Sequence, residues 1–328
     1  MWKIKDLEIN SKVVLAPMAG ITFSSYREFM SEFGFGVCIT EMVSDMGLIY
    51  DNKETNEYIR FERGNYLTGV QLFGHDPETI KKAALICLDK NPNIDFFDIN
   101  MGCPVPKVTD TGAGSSLMKN PKLCGEIVRA IKSVCDKPVT AKIRLGWNNE
   151  SINYLEVIKE LENGGVDMIA IHSRTRKELY GGTPHHDMLK DLRKQMNVPL
   201  VISGNIYTLD DAINAMDITG ADAVMVARGG VGNPTLLKQI NQYYLDGTRL
   251  EDSSLKEQIE YCLKLGEMII KEKGEVVGMR IYRGIAPKFF NGYANMKKYK
   301  NRLVTELTTF ESLKTILKDM AEENEIEF

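Results

Sequence analysis

Phe96–Val108 reads FFDINMGCPVPKV. The apolar run Phe96–Ile99 stops at Asn100, and a glycine, a cysteine and two prolines follow at once. This is a strand that ends abruptly in a stiff turn, with a thiol on the turn. Working outward, the chain holds seven more runs of this kind. Before it come VVLAPMAG from Val13, GVCITEMV from Gly36 and LTGVQLFG from Leu67. After it come PVTAKIRLGW from Pro138, DMIAIHSRT from Asp167, PLVISGNI from Pro199 and AVMVARGG from Ala223. Amphipathic segments such as Asp76–Lys90 and Asn120–Cys135 separate them. The first opens on Asp76-Pro77, a capping residue followed by a proline in the first turn.

Near-continuous apolar strands alternating with helices predict a parallel sheet buried on both faces. Eight βα repeats fit an α/β fold of the (β/α)8 TIM-barrel type. A doubly wound dinucleotide fold is disfavoured, because no GxGxxG follows the first strand. From about Tyr244 only helical spacing remains. The expected organisation is a barrel over residues 1–244 and a smaller all-helical C-terminal domain over 245–328, ending in a frayed acidic tail.

The bulk numbers exclude several classes. The 328 residues are 43% hydrophobic and 26% charged with a net charge of −4, so any nucleic-acid role needs a local basic patch. The six cysteines are scattered without CxxC, which argues against a disulfide framework or a metal site. The start, MWKIKDLEI, is charged, and no apolar run approaches the ~18 residues of a membrane helix. A cytoplasmic monomer, soluble and without membrane contact, is expected.

In barrel enzymes chemistry sits at the C-terminal strand ends. Here those ends carry Pro17 and Met18; Glu41; Gln71; Asn100 and Cys103; Lys142 and Arg144; His172 and Arg174; Ser203, Gly204 and Asn205; and Arg228 with Gly229 and Gly230. A snorkelling Lys142 or a satisfied core His172 would each be ordinary alone. All eight ends together call for a ligand. Small residues after the last two strands suit a phosphate held by backbone N–H groups, and Arg228 adds a guanidinium. Gln71 offers donor and acceptor to a flat polar ring. Lys142 would stabilise developing negative charge. Together these suggest FMN.

The motifs APMAGIT (Ala16–Thr22), QLFG (Gln71–Gly74), NMGCPVPKV (Asn100–Val108) and GAGSSLMKNP (Gly112–Pro121), with AKIRLGW (Ala141–Trp147), IHSRTR (Ile171–Arg176), GNI (Gly204–Ile206) and RGGVGNP (Arg228–Pro234), resemble the tRNA-dihydrouridine synthases in order and spacing. The resemblance implies an FMN enzyme that reduces the C5=C6 bond of particular uridines in tRNA, with NADPH or NADH as reductant. It implies that Ala16, Pro17, Met18, Gln71, Lys142, His172, Ser203, Gly204, Asn205, Ala227 and Arg228 hold FMN. Asn100 would orient the uridine, Arg144, Arg174, Arg280 and Lys288 would contact the RNA, and Cys103 would be the proton donor. Phe23, Ser203-Gly204-Asn205, Ala227 and Ile281-Tyr282 depart from the family's usual Asp, Asn-Gly-Asp, Gly and Lys-His.

Hydride delivery to C6 leaves carbanion character at C5, which needs an acid on the opposite face. A thiol, with an ordinary pKa of about 8.5, is mostly protonated at neutral pH and can serve. The segment PKVTDTGAGSS reads as a mobile lid. Cys87, Cys124, Cys135 and Cys262 read as inert residues on apolar helix faces. Reduction also requires the base to leave the stack, so the RNA must be gripped elsewhere. From Val276 to Thr305 no acidic residue occurs. Arg280, Arg283, Lys288, Lys297, Lys298, Lys300 and Arg302 fall there, interleaved with Phe289, Phe290, Tyr293 and Tyr299. That pattern suggests a phosphate-binding surface. An FMN enzyme acting on a free pyrimidine or dihydroorotate, a lyase using Lys142 as a Schiff base, and a pure RNA-binding module remain as rivals.

Overall fold

The computed structural model describes residues 1–327. Two short strands come first, β1 (Trp2–Ile4) and β2 (Leu7–Ile9), paired as an antiparallel hairpin. Eight parallel strands follow: β3 (Val13–Leu15), β4 (Val37–Ser44), β5 (Leu67–Phe73), β6 (Phe96–Asn100), β7 (Val139–Arg144), β8 (Met168–His172), β9 (Leu200–Ser203) and β10 (Ala223–Val226). They close into a barrel in chain order, with β10 pairing back to β3. Residues of β6, β8, β9 and β10 are buried throughout, as strands covered on both faces must be.

The hairpin was not legible in the sequence, because three-residue strands show no period. It has a clear task. Trp2, Ile4 and Ile9 are buried in one cluster with Val37, Phe96, Met168 and Ala223, the residues that begin β4, β6, β8 and β10. It therefore seals the N-terminal end of the barrel, leaving the C-terminal strand ends for chemistry. The ladder between β4 and β5 is interrupted between Ile39 and Met42. There Thr40 Oγ1 accepts the Gln71 N–H at 3.1 Å, so that donor stays satisfied across the irregularity. The helix Pro77–Lys90 starts as expected, with the Asp76 side chain accepting from Glu78 N–H and proline in the first turn.

The chain divides into two compact units, one of Met1–Ala19 with Phe35–Ala227, the other of Gly20–Gly34 with the residues from Arg228 onward. This differs from the expected boundary at 244/245, on two counts. The helix Thr235–Asp246 belongs with the C-terminal helices, and so does Ser24–Ser31, the helix between β3 and β4. Within the second unit Phe29 meets Tyr261 and Phe289 edge-on, at 6.4 and 6.3 Å between ring centres. Phe23 explains part of this attachment. It occupies the N-cap position of Ser24–Ser31 and has no side-chain acceptor. The orphaned Ser25 N–H is taken instead by Glu272 Oε2, at 2.6 Å, from the helix Leu255–Lys273. Among the described residues, the remaining α-helices of the unit are Glu275–Tyr282, Lys297–Thr305 and Phe310–Glu323. Glu323, expected in the frayed tail, is still helical, and Phe328 lies outside the described residues. No helix among the described residues is long and apolar enough to cross a membrane.

Candidate active site

Asn100 ends β6 and shapes the turn that carries the thiol. Its Oδ1 accepts from the N–H groups of Gly102 (3.2 Å) and Cys103 (2.8 Å), and its Nδ2 donates to Gln71 Oε1 (2.8 Å). Gln71 Nε2 in turn donates to Asp98 Oδ2 at 2.6 Å, and Thr140 Oγ1 donates to Asp98 Oδ1 at 2.6 Å. The Cys103 turn is thus wired across β5, β6 and β7. Asn100 spends its carbonyl oxygen on this turn, and one amide hydrogen is left for other work. The expected lid is folded. Pro106–Thr109 is a helical turn and Gly114–Lys119 a 3-10 helix. Ser115 donates to the Cys103 carbonyl through both N–H (3.1 Å) and Oγ (2.9 Å). Gly114 has φ +59°, and a Cβ there would lie 2.8 Å from that carbonyl, so the segment rides directly on the cysteine turn.

Lys142 pairs across β6/β7 with Asn100. Burial, then the Arg144 charge, pull its ammonium down to about 8, against Asp98 and Cys103. Burial pushes the Asp98 carboxyl up, although Gln71, Thr140 and Lys142 oppose this. Burial also pushes the Cys103 thiol up, against the Val105 N–H and the charges of Arg144 and Lys142. The thiol is therefore protonated at neutral pH while remaining partly exposed. Cys87, Cys124 and Cys262 are buried with thiols pushed up to about 12, as inert cysteines should be. Cys135 differs from the sequence reading: it lies past the helix Pro121–Lys132 and is partly exposed.

The ends of β7 and β8 hold two buried arginines. Arg144 donates to the carbonyls of Gly102 (2.7 Å), Thr175 (2.9 Å) and Leu179 (2.8 Å). Arg174 donates to the carbonyls of Gly181 (2.8 Å) and Gly182 and to Asn205 Oδ1 (3.1 Å). Expected as RNA contacts, both staple the loop after β8 to its neighbours. Arg174 Nη1 also lies 3.2 Å from His172 Nε2. A guanidinium only donates, so His172 Nε2 is bare and Nδ1 carries the hydrogen. The His172 ring stacks on Tyr180 at 6.1 Å.

After β9 the backbone turns sharply. Gly204 has φ +135° and Asn205 φ +51°. A Cβ at Gly204 would sit 2.8 Å from Ser173 Oγ, so only glycine fits. The N–H groups of Gly204 and Asn205 have no acceptor among the described residues. Two adjacent unpaired N–H groups at a left-handed kink form an anion-binding concavity. Ala16, Pro17 and Met18 follow β3, and Ala16 N–H bonds to the Val226 carbonyl at 3.0 Å. Ala227 follows β10. Arg228 opens the 3-10 turn Arg228–Gly230 in the second unit and is exposed. Sequence reasoning missed His186, whose ring contacts both Ser173 and Gly204. It lies in a segment without strand or helix periodicity.

The acid-free stretch of the second unit is less free than it reads. Lys298 pairs with Glu323, and Arg302 with Glu306 (2.9 Å) and Asp319 (2.7 Å). Arg283 Nε donates to the Leu307 carbonyl at 2.6 Å. Phe289, Phe290 and Tyr299 are core side chains and not a stacking surface. Tyr282, where the family usually has His, is buried with its Oη donating to the Cys262 carbonyl at 2.5 Å. Arg280 and Lys297 are exposed, and Lys288 is half-buried.

The fold and site define a (β/α)8-barrel protein whose polar groups gather at the C-terminal strand ends, with a protonated thiol, an amine and an anion cradle. Residues 14–325 match the family model described as Dihydrouridine synthase (Dus), and the chain belongs to that family. It is 32% identical over 301 residues to the probable tRNA-dihydrouridine synthase of Rickettsia conorii, covering 92% of this chain and 90% of that protein. It is 32% identical over 281 residues to tRNA-dihydrouridine synthase B of Shewanella oneidensis, covering 86% and 87%. Among solved structures it is similar to histamine dehydrogenase from Rhizobium sp. 4-9, with TM-score 0.52 and 13% identity, over 78% of this chain and 49% of that one. That likeness is one of fold.

Proposed function

We propose that this protein reduces the C5=C6 bond of uridines in tRNA to 5,6-dihydrouridine, with FMN as bound cofactor, NADPH or NADH as reductant and Cys103 as the proton donor. Family membership supports the reaction, and both relatives above are described as acting on tRNA. The observation that carries the reading is the Cys103 thiol. It is held by the Asn100 turn, kept protonated by burial, and partly exposed beside the strand ends.

The residues fit a phosphorylated flavin. The unpaired N–H groups of Gly204 and Asn205 suit a phosphate. The His172 Nδ1–H and the Lys142 amine suit the carbonyl side of a flat polar ring, and Gln71 retains one donor hydrogen and one lone pair. Ala16, Pro17 and Met18 supply backbone and apolar contact. Ala227 and Arg228 keep the cofactor-binding roles that the resemblance implies. Reduced FMN, when bound, supplies the hydride that goes to C6 of the uracil. Cys103 Sγ then gives its proton to C5 and is later reprotonated from solvent. The Lys142 ammonium would stabilise the thiolate that Cys103 becomes on giving up its proton, and so favour proton transfer to C5. Asn100 keeps the thiol on the correct side of the turn, and its remaining amide hydrogen is available to the base.

RNA is gripped by cations that the fold leaves for it. Arg280, Lys288, Lys297 and Lys300 suit phosphate contact better than Lys298 and Arg302, which are engaged by acids. The test is direct. Purified protein loaded with FMN should bleach with NADPH, and unmodified tRNA should then be converted to a product containing dihydrouridine. Bleaching without any modified nucleoside would reject the assignment.

A further inference from the structure

His186 opens the 3-10 turn His186–Leu189 and is buried. Nothing in the reaction requires it, yet its ring bridges two elements of the site. Nε2 lies 3.2 Å from the Gly204 carbonyl, and Nδ1 lies 2.9 Å from Ser173 Oγ. A carbonyl can only accept, so Nε2 carries the hydrogen. Burial, reinforced by the Arg174 charge, keeps the ring neutral, although Gly204, Asp187 and Asp211 favour its charged form. Nδ1 is then bare and faces the Ser173 hydroxyl, whose one hydrogen it shares with the Ser203 carbonyl at 3.1 Å. The Gly204 carbonyl is the ring's firm anchor.

The consequence follows from peptide geometry. The Gly204 carbonyl and the Asn205 N–H belong to one planar trans peptide, so they point in opposite directions. Holding the carbonyl toward His186 turns the Asn205 N–H away from it. That N–H has no acceptor among the described residues. Arg174 Nη2 also holds Asn205 Oδ1 at 3.1 Å, so the left-handed kink is clamped twice. We infer that His186 is a positioning residue for the anion cradle: through the Gly204 carbonyl it aims the Asn205 N–H at a phosphate monoester. This rests on the reading of Ser203–Asn205 as the cofactor's phosphate site, and it assigns the preorganisation of that site to a side chain outside it.

The experiment compares the affinities of FMN and riboflavin, which differ only in the phosphate, for the apoprotein. His186→Phe keeps a ring and removes both hydrogen bonds. It is expected to weaken FMN about tenfold, equivalent to about 1.4 kcal/mol, and to leave riboflavin unchanged. His186→Gln, which can return an N–H to the Gly204 carbonyl, should recover most of the loss. Ser173→Ala, a smaller truncation that frees the ring at Nδ1, should show the same selective loss at lower magnitude and serves if His186→Phe does not fold. Unchanged FMN affinity in folded His186→Phe and Ser173→Ala, or an equal loss for riboflavin, would overturn the inference. Equal wild-type affinity for the two flavins would overturn the phosphate-site reading itself, a result distinct from either.

Discussion

Asn100→Ala is the most informative single substitution, because one side chain supports three hydrogen bonds. Truncation leaves the N–H groups of Gly102 and Cys103 and the Gln71 Oε1 without their partner. Gly102 and Gln71 are buried, so water cannot easily replace the lost contacts there, whereas the Cys103 N–H can be partly re-solvated. At ~1–3 kcal/mol for each stranded buried group, the two buried losses sum to about 2–6 kcal/mol before relaxation. A relaxed loss of about 3 kcal/mol corresponds to a fall in Tm of roughly 4 °C for a chain of this length, at about 2.1 cal/mol/K of unfolding entropy per residue. The chemical effect should be sharper. A thiol displaced by about 1 Å can cost on the order of a hundredfold in rate. The assay pairs thermal unfolding with single-turnover reduction of tRNA by pre-reduced enzyme. Reduction of the flavin by NADPH should change less than tRNA reduction, since Asn100 builds the thiol's turn directly and reaches the flavin side only through Gln71. Asn100→Asp retains both acceptor contacts to the turn and should be closer to wild type in turnover than Asn100→Ala. Unchanged Tm together with unchanged tRNA reduction in Asn100→Ala would refute the claim that this residue builds the turn.

Cys103→Ala should bind FMN and be reduced by NADPH normally, while tRNA reduction falls by roughly 10²–10⁴, the usual worth of a general acid; an unaffected rate would remove the thiol from the mechanism. The Lys142 ammonium, pulled down to about 8, is present below that pH and lost above it, so the rate of tRNA reduction should decline above about pH 8. Lys142→Arg, whose guanidinium stays charged across the whole working range, should carry any residual activity past that limb; an unshifted limb would assign it to another group. Arg280→Glu with Lys297→Glu should weaken tRNA binding and flatten its salt dependence, which runs at roughly 0.7–0.9 in log K per phosphate contact. Lys298→Ala with Arg302→Ala should instead lower stability and leave the salt slope alone, because their partners are Glu323, Glu306 and Asp319; the reverse pattern would exchange the two sets.

The barrel was readable because its strands announce themselves. A covered parallel strand must be apolar on both faces, and FFDIN or VMVA can hardly be anything else at that spacing. The strand-end residues were readable for the same reason: polar groups directly after such runs have only the barrel mouth to face. Their partnerships were not. Arg144 and Arg174 look like ligand-binding cations in sequence, and only the folded loop after β8 shows them held by backbone carbonyls. The ion pairs of Lys298 with Glu323 and of Arg302 with Asp319 were hidden because both acids lie in another helix, far along the chain, whereas Arg302–Glu306 is an i,i+4 pair whose acid stands one residue past the acid-free stretch. Phe23 shows the converse. A capping position without a capping side chain reads as a local defect, and its remedy, Glu272, is supplied from far along the chain.

The central claim is tested most directly by the product itself. Wild-type and Cys103→Ala protein, each loaded with FMN and supplied with NADPH, are incubated with an unmodified tRNA transcript, and its nucleosides are separated and weighed. The account predicts dihydrouridine at defined positions with the wild type, and a strongly reduced yield with the variant despite full bleaching of its flavin. A wild-type protein that bleaches and turns over a free pyrimidine while leaving every uridine of the tRNA intact would contradict it.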